Sequence, residues 1–413
     1  MPHFFVFGSF PEISLAELCQ AIGLFDGASI ESASWAGAMV EHLTDEQTLV
    51  LFHRLGGTTR VGRLVDTVAR KELEPTLTKL VSALVSERIH FGISMLGGGL
   101  PTNQVQGIGI TIKHALKEQG RPSRFVVSRD PMLSSVVVQK NHLLTKGAEF
   151  ILRSATPQSF DIIQTLAVQE FEEWGSRDFG RPARNARRGM LPPKLARMMI
   201  NLTRLQATNS KLPPVLLDPF CGSGTVLMEA LELGYEVIGS DISKGAVDDT
   251  QKNLEWHQKN SQGPFPSTRV FTSDVRLLSQ KVALHSIDVI VTEPDLGLPQ
   301  SKMIAAPEDI KVERQRLNPL YLQTIEVFAK LLKPGGRAIV SWPCWPMATK
   351  KGIVYAISDL DKIRTQGFEI IPPIPVALSK AVTAKQFHYR HSLLYGRPEQ
   401  FVWREIMVLE KGR

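Results

Sequence analysis

Cysteine is scarce, with only Cys19, Cys221 and Cys344 at unpaired spacings, which argues against a disulfide framework and against a cysteine zinc site. A reducing cytoplasm is the simplest setting for such a chain. No apolar run is long enough to span a bilayer. The opening residues Met1 to Gly8 carry neither a basic segment nor a cleavage pattern, so neither a membrane anchor nor a secretory leader is expected. No internal repeat or low-complexity tract is present, which removes solenoids and disordered tails. Acids are absent from Arg181 to Arg197, where Arg181, Arg184, Arg187, Arg188, Lys194 and Arg197 follow one another among prolines and apolar residues. A tethered basic stretch of this kind reads as a phosphate-contacting element, and the formal charge of +7 points the same way, to a polyanionic partner.

The most informative positive feature is Asp218 to Thr225, reading Asp-Pro-Phe-Cys-Gly-Ser-Gly-Thr. It follows the apolar run Val215 to Leu217 and opens an amphipathic run ending at Gly234, the pattern of strand, glycine turn and helix in an open α/β sheet. Such a turn lets the backbone approach a cofactor closely. A nucleoside triphosphate loop would need a Gly-Lys-Ser/Thr ending, and no lysine is near. A dinucleotide site wants a third glycine where Leu227 stands, and Asp218 would repel its pyrophosphate. S-adenosylmethionine carries an ammonium and a cationic sulfur, so an acid at the strand end becomes an asset. Asp241 closes the next apolar run, where a carboxylate can accept ribose hydroxyls, and Asp274 closes a third, within reach of an adenine amino group. The candidate cofactor-binding set is therefore Asp218, Phe220, Gly222, Gly224, Thr225, Asp241, Ile242, Asp274 and Val275. No metal is expected.

Along the chain, strands and helices alternate. The first part, to about Ser154, predicts strands over Phe4–Phe7, Leu49–Phe52, Ile89–Ile93, Phe125–Val127, Val136–Gln139 and Glu149–Leu152. Helix patterns cover Ile13–Ile22, Leu77–Ser86 and the stretch through Ile108 and Leu116. It lacks a glycine cofactor turn and reads as a binding module. A connector follows with a helix over Phe160–Trp174, and Lys211 to Pro214 punctuate entry into the catalytic part. There the later strands complete a seven-stranded, mostly parallel sheet.

The fourth strand of that part ends in Thr292-Glu293-Pro294-Asp295-Leu296-Gly297, at the edge of the crevice where open α/β sheets bind ligands. Methylating an exocyclic amino group requires a side-chain acceptor and a backbone carbonyl that take its two N–H groups and aim the nitrogen lone pair. Asp/Asn-Pro-Pro-Tyr does this, with the aromatic stacked on a flipped base.

With Gly189 to Ala196, Lys333 to Gly336, Tyr395 to Pro398 and Arg404 to Ile406, the chain resembles the THUMP-domain tRNA guanine-N2 methyltransferases, close to the tRNA (guanine(10)-N2)-methyltransferase group. Ser134 to Val138, Lys140-Asn141 and Lys146-Gly147 extend the resemblance to the N-terminal half. It implies a ferredoxin-like subdomain over 1–75, a THUMP RNA-binding domain over 76–155, a helical basic linker over 156–210 and a Rossmann-like class I methyltransferase domain over 211–413. It also implies N2-methylguanosine in tRNA as product, with position 10 favoured, and leaves room for a small activating subunit or a homodimer. Glu293 takes the position of the catalytic Asp/Asn and Pro294 that of the first proline. Asp295 and Leu296 depart from the pattern, forfeiting a stacking face worth roughly 1–3 kcal/mol. Trp345, after the fifth strand with Trp342, is the candidate replacement, beside the basic residues Arg181, Arg184, Arg187, Arg188, Lys194 and Arg197 as substrate contacts. Two other readings stand: guanine-N2 or adenine-N6 methylation in ribosomal RNA, and a catalytically weak RNA-binding subunit marked by the altered Glu-Pro-Asp-Leu.

Overall fold

The computed structural model describes the whole chain except residues 185–189, 205–211, 262–263, 349–351 and 383–389. Two compact units emerge, one holding residues 1–11, 22–54 and 58–172, the other residues 12–21, 55–57 and 173–413.

The first unit is built on one sheet of eight strands: β1 (His3–Phe7), β2 (Ser29–Ser34), β3 (Gly37–Glu41), β4 (Thr58–Ala69), β5 (Ile89–Leu96), β6 (Ser123–Val126), β7 (Gly147–Thr156) and β8 (Ser159–Val168). Their spatial order is 2-3-1-4-8-7-5-6, antiparallel except where β5 lies parallel to β6 and β7. At its centre, buried Glu149 on β7 pairs with Arg60 on β4 and accepts the hydroxyls of Ser94 (2.6 Å) and Thr165 (2.7 Å). The sheet runs unbroken across residue 75, so the expected boundary between 1–75 and 76–155 does not divide it.

Three local expectations fail here for identifiable reasons. Phe160–Trp174 is not one helix: its apolar run forms β8, wedged between β4 and β7, and only Phe171–Gly175 is helical. A strand buried on both faces has no alternation and cannot be told from a buried helix by periodicity. The expected linker over 156–210 thus begins inside the sheet. Leu49–Phe52 lies in the helix Asp45–Arg54, where Thr44 accepts the Gln47 backbone N–H (3.1 Å) and Gln47 accepts that of Thr44 (2.9 Å). That reciprocal cap nucleates a helix. Val136–Gln139 lies in the helix Ser135–Lys140, started by the Ser134 hydroxyl accepting the Val137 N–H at 3.2 Å.

The second unit contains β9 (Val215–Asp218), β10 (Glu236–Asp241), β11 (Thr268–Thr272), β12 (Ile287–Thr292), β13 (Leu332–Pro346), β14 (Ile353–Tyr355), β15 (Phe368–Ile370), β16 (Ser392–Tyr395) and β17 (Trp403–Lys411). Seven of them follow the order 11-10-9-12-13-17-15, with β14 added beside β13 and β16 beside β17. The sheet therefore has nine strands where seven were expected. β11 to β13 along that path are parallel, as helical crossovers require, whereas β17 and its partners are antiparallel. The order reverses between β9 and β12, and the carboxyl ends of those two strands are the switch point at which such sheets bind ligands. The helix Lys311–Leu331 covers one face through Leu317, Tyr321, Ile325 and Phe328. Residues 12–21 of the helix Pro11–Ala21 also belong to this unit: buried Glu17 accepts the backbone N–H groups of Gly56 (2.7 Å) and Gly57 (2.8 Å) and the Asn201 amide (2.7 Å). No helix among the described residues is long and apolar enough to cross a membrane.

Candidate active site

The glycine turn is held from several sides. Gly222 (φ +53°) and Gly224 (φ +83°) occupy the left-handed region, and Gly224 caps the helix Thr225–Glu232. From the helix Lys244–Asn260, the Thr250 hydroxyl donates to the Gly222 carbonyl (2.8 Å) and the Asn253 amide to that of Ser223 (2.8 Å). Leu227, standing where a dinucleotide motif has glycine, finds its room on the strand: a Cβ on Gly239 would lie 2.4 Å from its Cδ1. The bulk is moved, and the helix still packs close to the sheet.

Above the turn opens a cavity of about 640 Å³. Asp218, Phe220, Gly222, Thr225, Asp241, Ile242, Asp274 and Val275 line it together with Glu293, Pro294, Asp295 and Leu296. Gly224 alone of the expected cofactor set is set back, acting as the helix cap. Met190 and Leu191, within the basic stretch, line it as well.

Asp218 is almost fully buried; burial pushes its carboxyl up to about 7, against hydrogen bonds from the Thr292 hydroxyl (2.6 Å) and the Phe220 N–H (3.1 Å). It is a site that gains from an incoming cation. Asp241 accepts the Gly222 N–H on Oδ2 (3.1 Å) and the Ser243 N–H on Oδ1 (2.9 Å), leaving each oxygen a free lone-pair direction for a hydroxyl. Asp274 caps the turn Val275–Gln280, and the forked guanidinium of Arg276 holds its carboxyl below the usual range. The donor set fits S-adenosylmethionine: an acid for the ammonium, an acid for the diol and an acid beside an apolar slot for the base.

Glu293 leaves the tip of β12 and forms an ion pair with Arg404 of β17. The loop beyond it is fixed by the helix Lys311–Leu331. Tyr321 donates its hydroxyl to the Asp295 carbonyl (2.5 Å), Arg316 reaches the Asp295 carboxylate (3.0 Å), and Glu313 accepts the Leu298 N–H (2.8 Å). Gly297 sits at φ +87°, where a Cβ would come within 2.6 Å of Glu313 Oε1. Sequence reasoning missed Arg316, Glu313 and Tyr321 because nothing in a helical pattern shows which loop it braces. Asn253 was missed as well.

The expected substrate contacts divide. Arg181 is buried, donating to the Thr225 hydroxyl at 2.6 Å, and Arg197 is buried against Glu229 at 2.6 Å, so neither is a surface phosphate contact. Each guanidinium turns inward because a buried acceptor lies in range, and a charge run in sequence does not reveal that. Lys194 and Arg184 are exposed; the Arg184 guanidinium lies 4.6 Å over the ring of Phe179. Arg187 and Arg188 lie outside the described residues. Trp345 is corrected outright: with Trp342 it is fully buried in the apolar core of the sheet, so it offers no face to a substrate. Among the described residues, no group of three or more His, Cys, Asp or Glu side chains is placed to hold a metal ion.

Residues 181–344 match the family described as UPF0020, RMKL-like, methyltransferase domain. The chain resembles curated tRNA (guanine(10)-N2)-dimethyltransferases. It is 35% identical over 138 residues to one from Methanothermobacter thermautotrophicus, covering 33% of this chain and 36% of that protein. It is 28% identical over 211 residues to one from Pyrococcus abyssi, covering 51% of each. The chain thus spans about a third to a half of the length of these relatives. In fold, it superimposes over its whole length on the whole of TrmN from Thermus thermophilus, with a TM-score of 0.54 at 16% identity.

Proposed function

We propose that this chain is an S-adenosylmethionine-dependent methyltransferase acting on the exocyclic N2 of a guanine in tRNA, with position 10 favoured. The observation that carries this reading is a single cavity lined both by the carboxylates Asp218, Asp241 and Asp274 around a glycine turn and by Glu293-Pro294. The likeness to tRNA (guanine(10)-N2)-dimethyltransferases supports the tRNA guanine-N2 target. Asp218 would hold the cofactor's ammonium, Asp241 its ribose hydroxyls, and Ile242, Val275 and Asp274 its adenine. Bound there, the cofactor supplies an electrophilic methyl group on a sulfonium.

The chain's own residues supply the rest. Glu293 accepts an N–H of the amino group and turns its lone pair toward the cofactor, which is a positioning contribution. Pro294 stiffens the backbone beyond it. Leu296, Met190 and Leu191 give the acceptor base apolar walls in place of an aromatic face. The amino nitrogen sheds its extra proton after transfer, to Glu293 or to water.

The first unit, in this reading, is the ferredoxin-like and THUMP portion that grips tRNA, and Arg184 and Lys194 contact phosphates near the site. A cytoplasmic setting goes with that substrate. A small activating subunit or a second copy would appear as a particle heavier than the 45.9 kDa chain by light scattering. Radiolabelled methyl transfer to bulk tRNA by the parent protein and by E293A tests the function. Transfer by the parent alone, with adenosylhomocysteine bound equally by both, is the expected result. Label in ribosomal RNA, or as N6-methyladenosine, would overturn the substrate, and no label in any RNA would overturn the activity.

A further inference from the structure

Resting on the reading just given, we infer that Arg404 is a positioning residue which holds Glu293 from behind, and that the length of the Glu293 side chain is set by this partner. Arg404 is buried on β17, and β13 lies between it and β12. The register runs Thr292 beside Val340, Ser341 beside Ile406 and Pro343 beside Arg404. Two strand spacings, about 10 Å, therefore separate the backbones that carry the acid and the guanidinium. Two long side chains can close such a gap only over a small residue, and Ser341 is what lies between them.

The contacts are directional. Arg404 Nε donates to Glu293 Oε2 and Nη2 to Oε1 at 3.1 Å, while the Ser341 hydroxyl donates to Oε2 at 3.3 Å. Each carboxylate oxygen offers two lone-pair directions. Oε2 is filled, and Oε1 keeps one. Glu293 lines the cavity whereas Arg404 does not, and the remaining acceptor direction is assigned to the cavity side. A forked guanidinium fixes a carboxylate in plane as well as in position, which a lysine cannot do. On the far side, the Tyr395 ring, cross-strand from Arg404, lies 5.9 Å from the guanidinium carbon and limits its retreat. An aspartate at 293 would draw the carboxylate back by about 1.5 Å and lose the fork.

The test measures single-turnover methyl transfer to tRNA and adenosylhomocysteine affinity for the parent, R404A, R404K and E293D. Displacement of a reacting group by about an ångström costs on the order of a hundredfold. R404A and E293D should therefore lose about that factor in the transfer rate, with cofactor affinity unchanged within about twofold. R404K, which keeps charge and bulk, should lose about tenfold and carries the test if R404A does not fold. Millimolar methylguanidinium should restore transfer in R404A and do nothing for E293A. Parental rates in R404A or R404K would overturn the inference while leaving the function standing; so would a rate loss that methylguanidinium cannot touch and that cofactor binding shares. A parent protein that methylates no RNA would overturn both.

Discussion

The guanidinium of Arg181 donates to the hydroxyl of Thr225 at 2.6 Å, joining the basic stretch to the first residue of the helix that follows the glycine turn. Two residues on, Ala183 exchanges backbone hydrogen bonds with the Asn253 side chain (2.9 and 2.8 Å), and the same amide holds the Ser223 carbonyl. One end of the basic stretch is thus built into the cofactor turn. R181A should weaken adenosylhomocysteine binding about tenfold, as loss of a buried charged donor does, and leave the salt dependence of RNA binding unchanged. R184A should do the reverse, lowering the slope of log affinity against log salt by about one. Calorimetry and salt-titrated filter binding would check the pair; equal salt effects would show that Arg181 also meets the backbone.

Asp218 predicts a pH dependence with a definite sign. Its folded value of about 7 lies above that of an unfolded aspartate, so the folded protein binds more protons between about pH 4 and 7. That contribution favours the ligand-free fold at low pH and is lost as pH rises through the folded value. An ammonium favours the ionised form, so binding releases a proton below pH 7. Adenosylhomocysteine affinity should rise between pH 5.5 and 7, by up to about tenfold per unit at the acid end. Calorimetry in buffers of different ionisation enthalpy would read the proton. D218N should bind weakly and show a flat profile.

The buried tryptophans belong to stability. W345A should cost about 3–5 kcal/mol of unfolding free energy in denaturant titration, as large-to-small core changes do. W345F keeps most of the volume and removes an indole N–H that has no hydrogen-bond partner among the described residues. It should methylate tRNA at the parental rate, and a selective loss of tRNA affinity would return Trp345 to the substrate site.

Gly297 allows the loop beyond Glu293 to be tested apart from the glycine turn. An added Cβ meets Glu313 Oε1, which is already tied to the Leu298 N–H and Arg316, in a backbone region costly for other residues. G297A should lower methyl transfer by at least about tenfold through displacement of the acceptor loop, with cofactor affinity retained. Loss of both together would mean that the loop and the glycine turn are not independent.

Legibility in the sequence followed physical locality. The turn from Asp218 to Thr225 and the acids closing successive strands were readable because each is set by neighbours in the chain, and all but Gly224 line the cavity. Glu293 was singled out by its place at a strand end, but its partner Arg404 was not, since their meeting depends on β13 lying between two distant strands. Arg181 and Arg197 were read as surface cations because their acceptors, Thr225 and Glu229, come from elsewhere in the chain. The β8 run looked helical for the same reason: burial on both faces erased its period.

The most direct measurement is nucleoside mass spectrometry of bulk tRNA after incubation with the purified chain and a cofactor bearing a deuterated methyl group. A cavity lined by both Asp218 and Glu293 should place the heavy methyl on N2 of guanosine, and E293A should place none. Heavy methyl on another base, or none in tRNA while the protein binds the cofactor, would contradict the account.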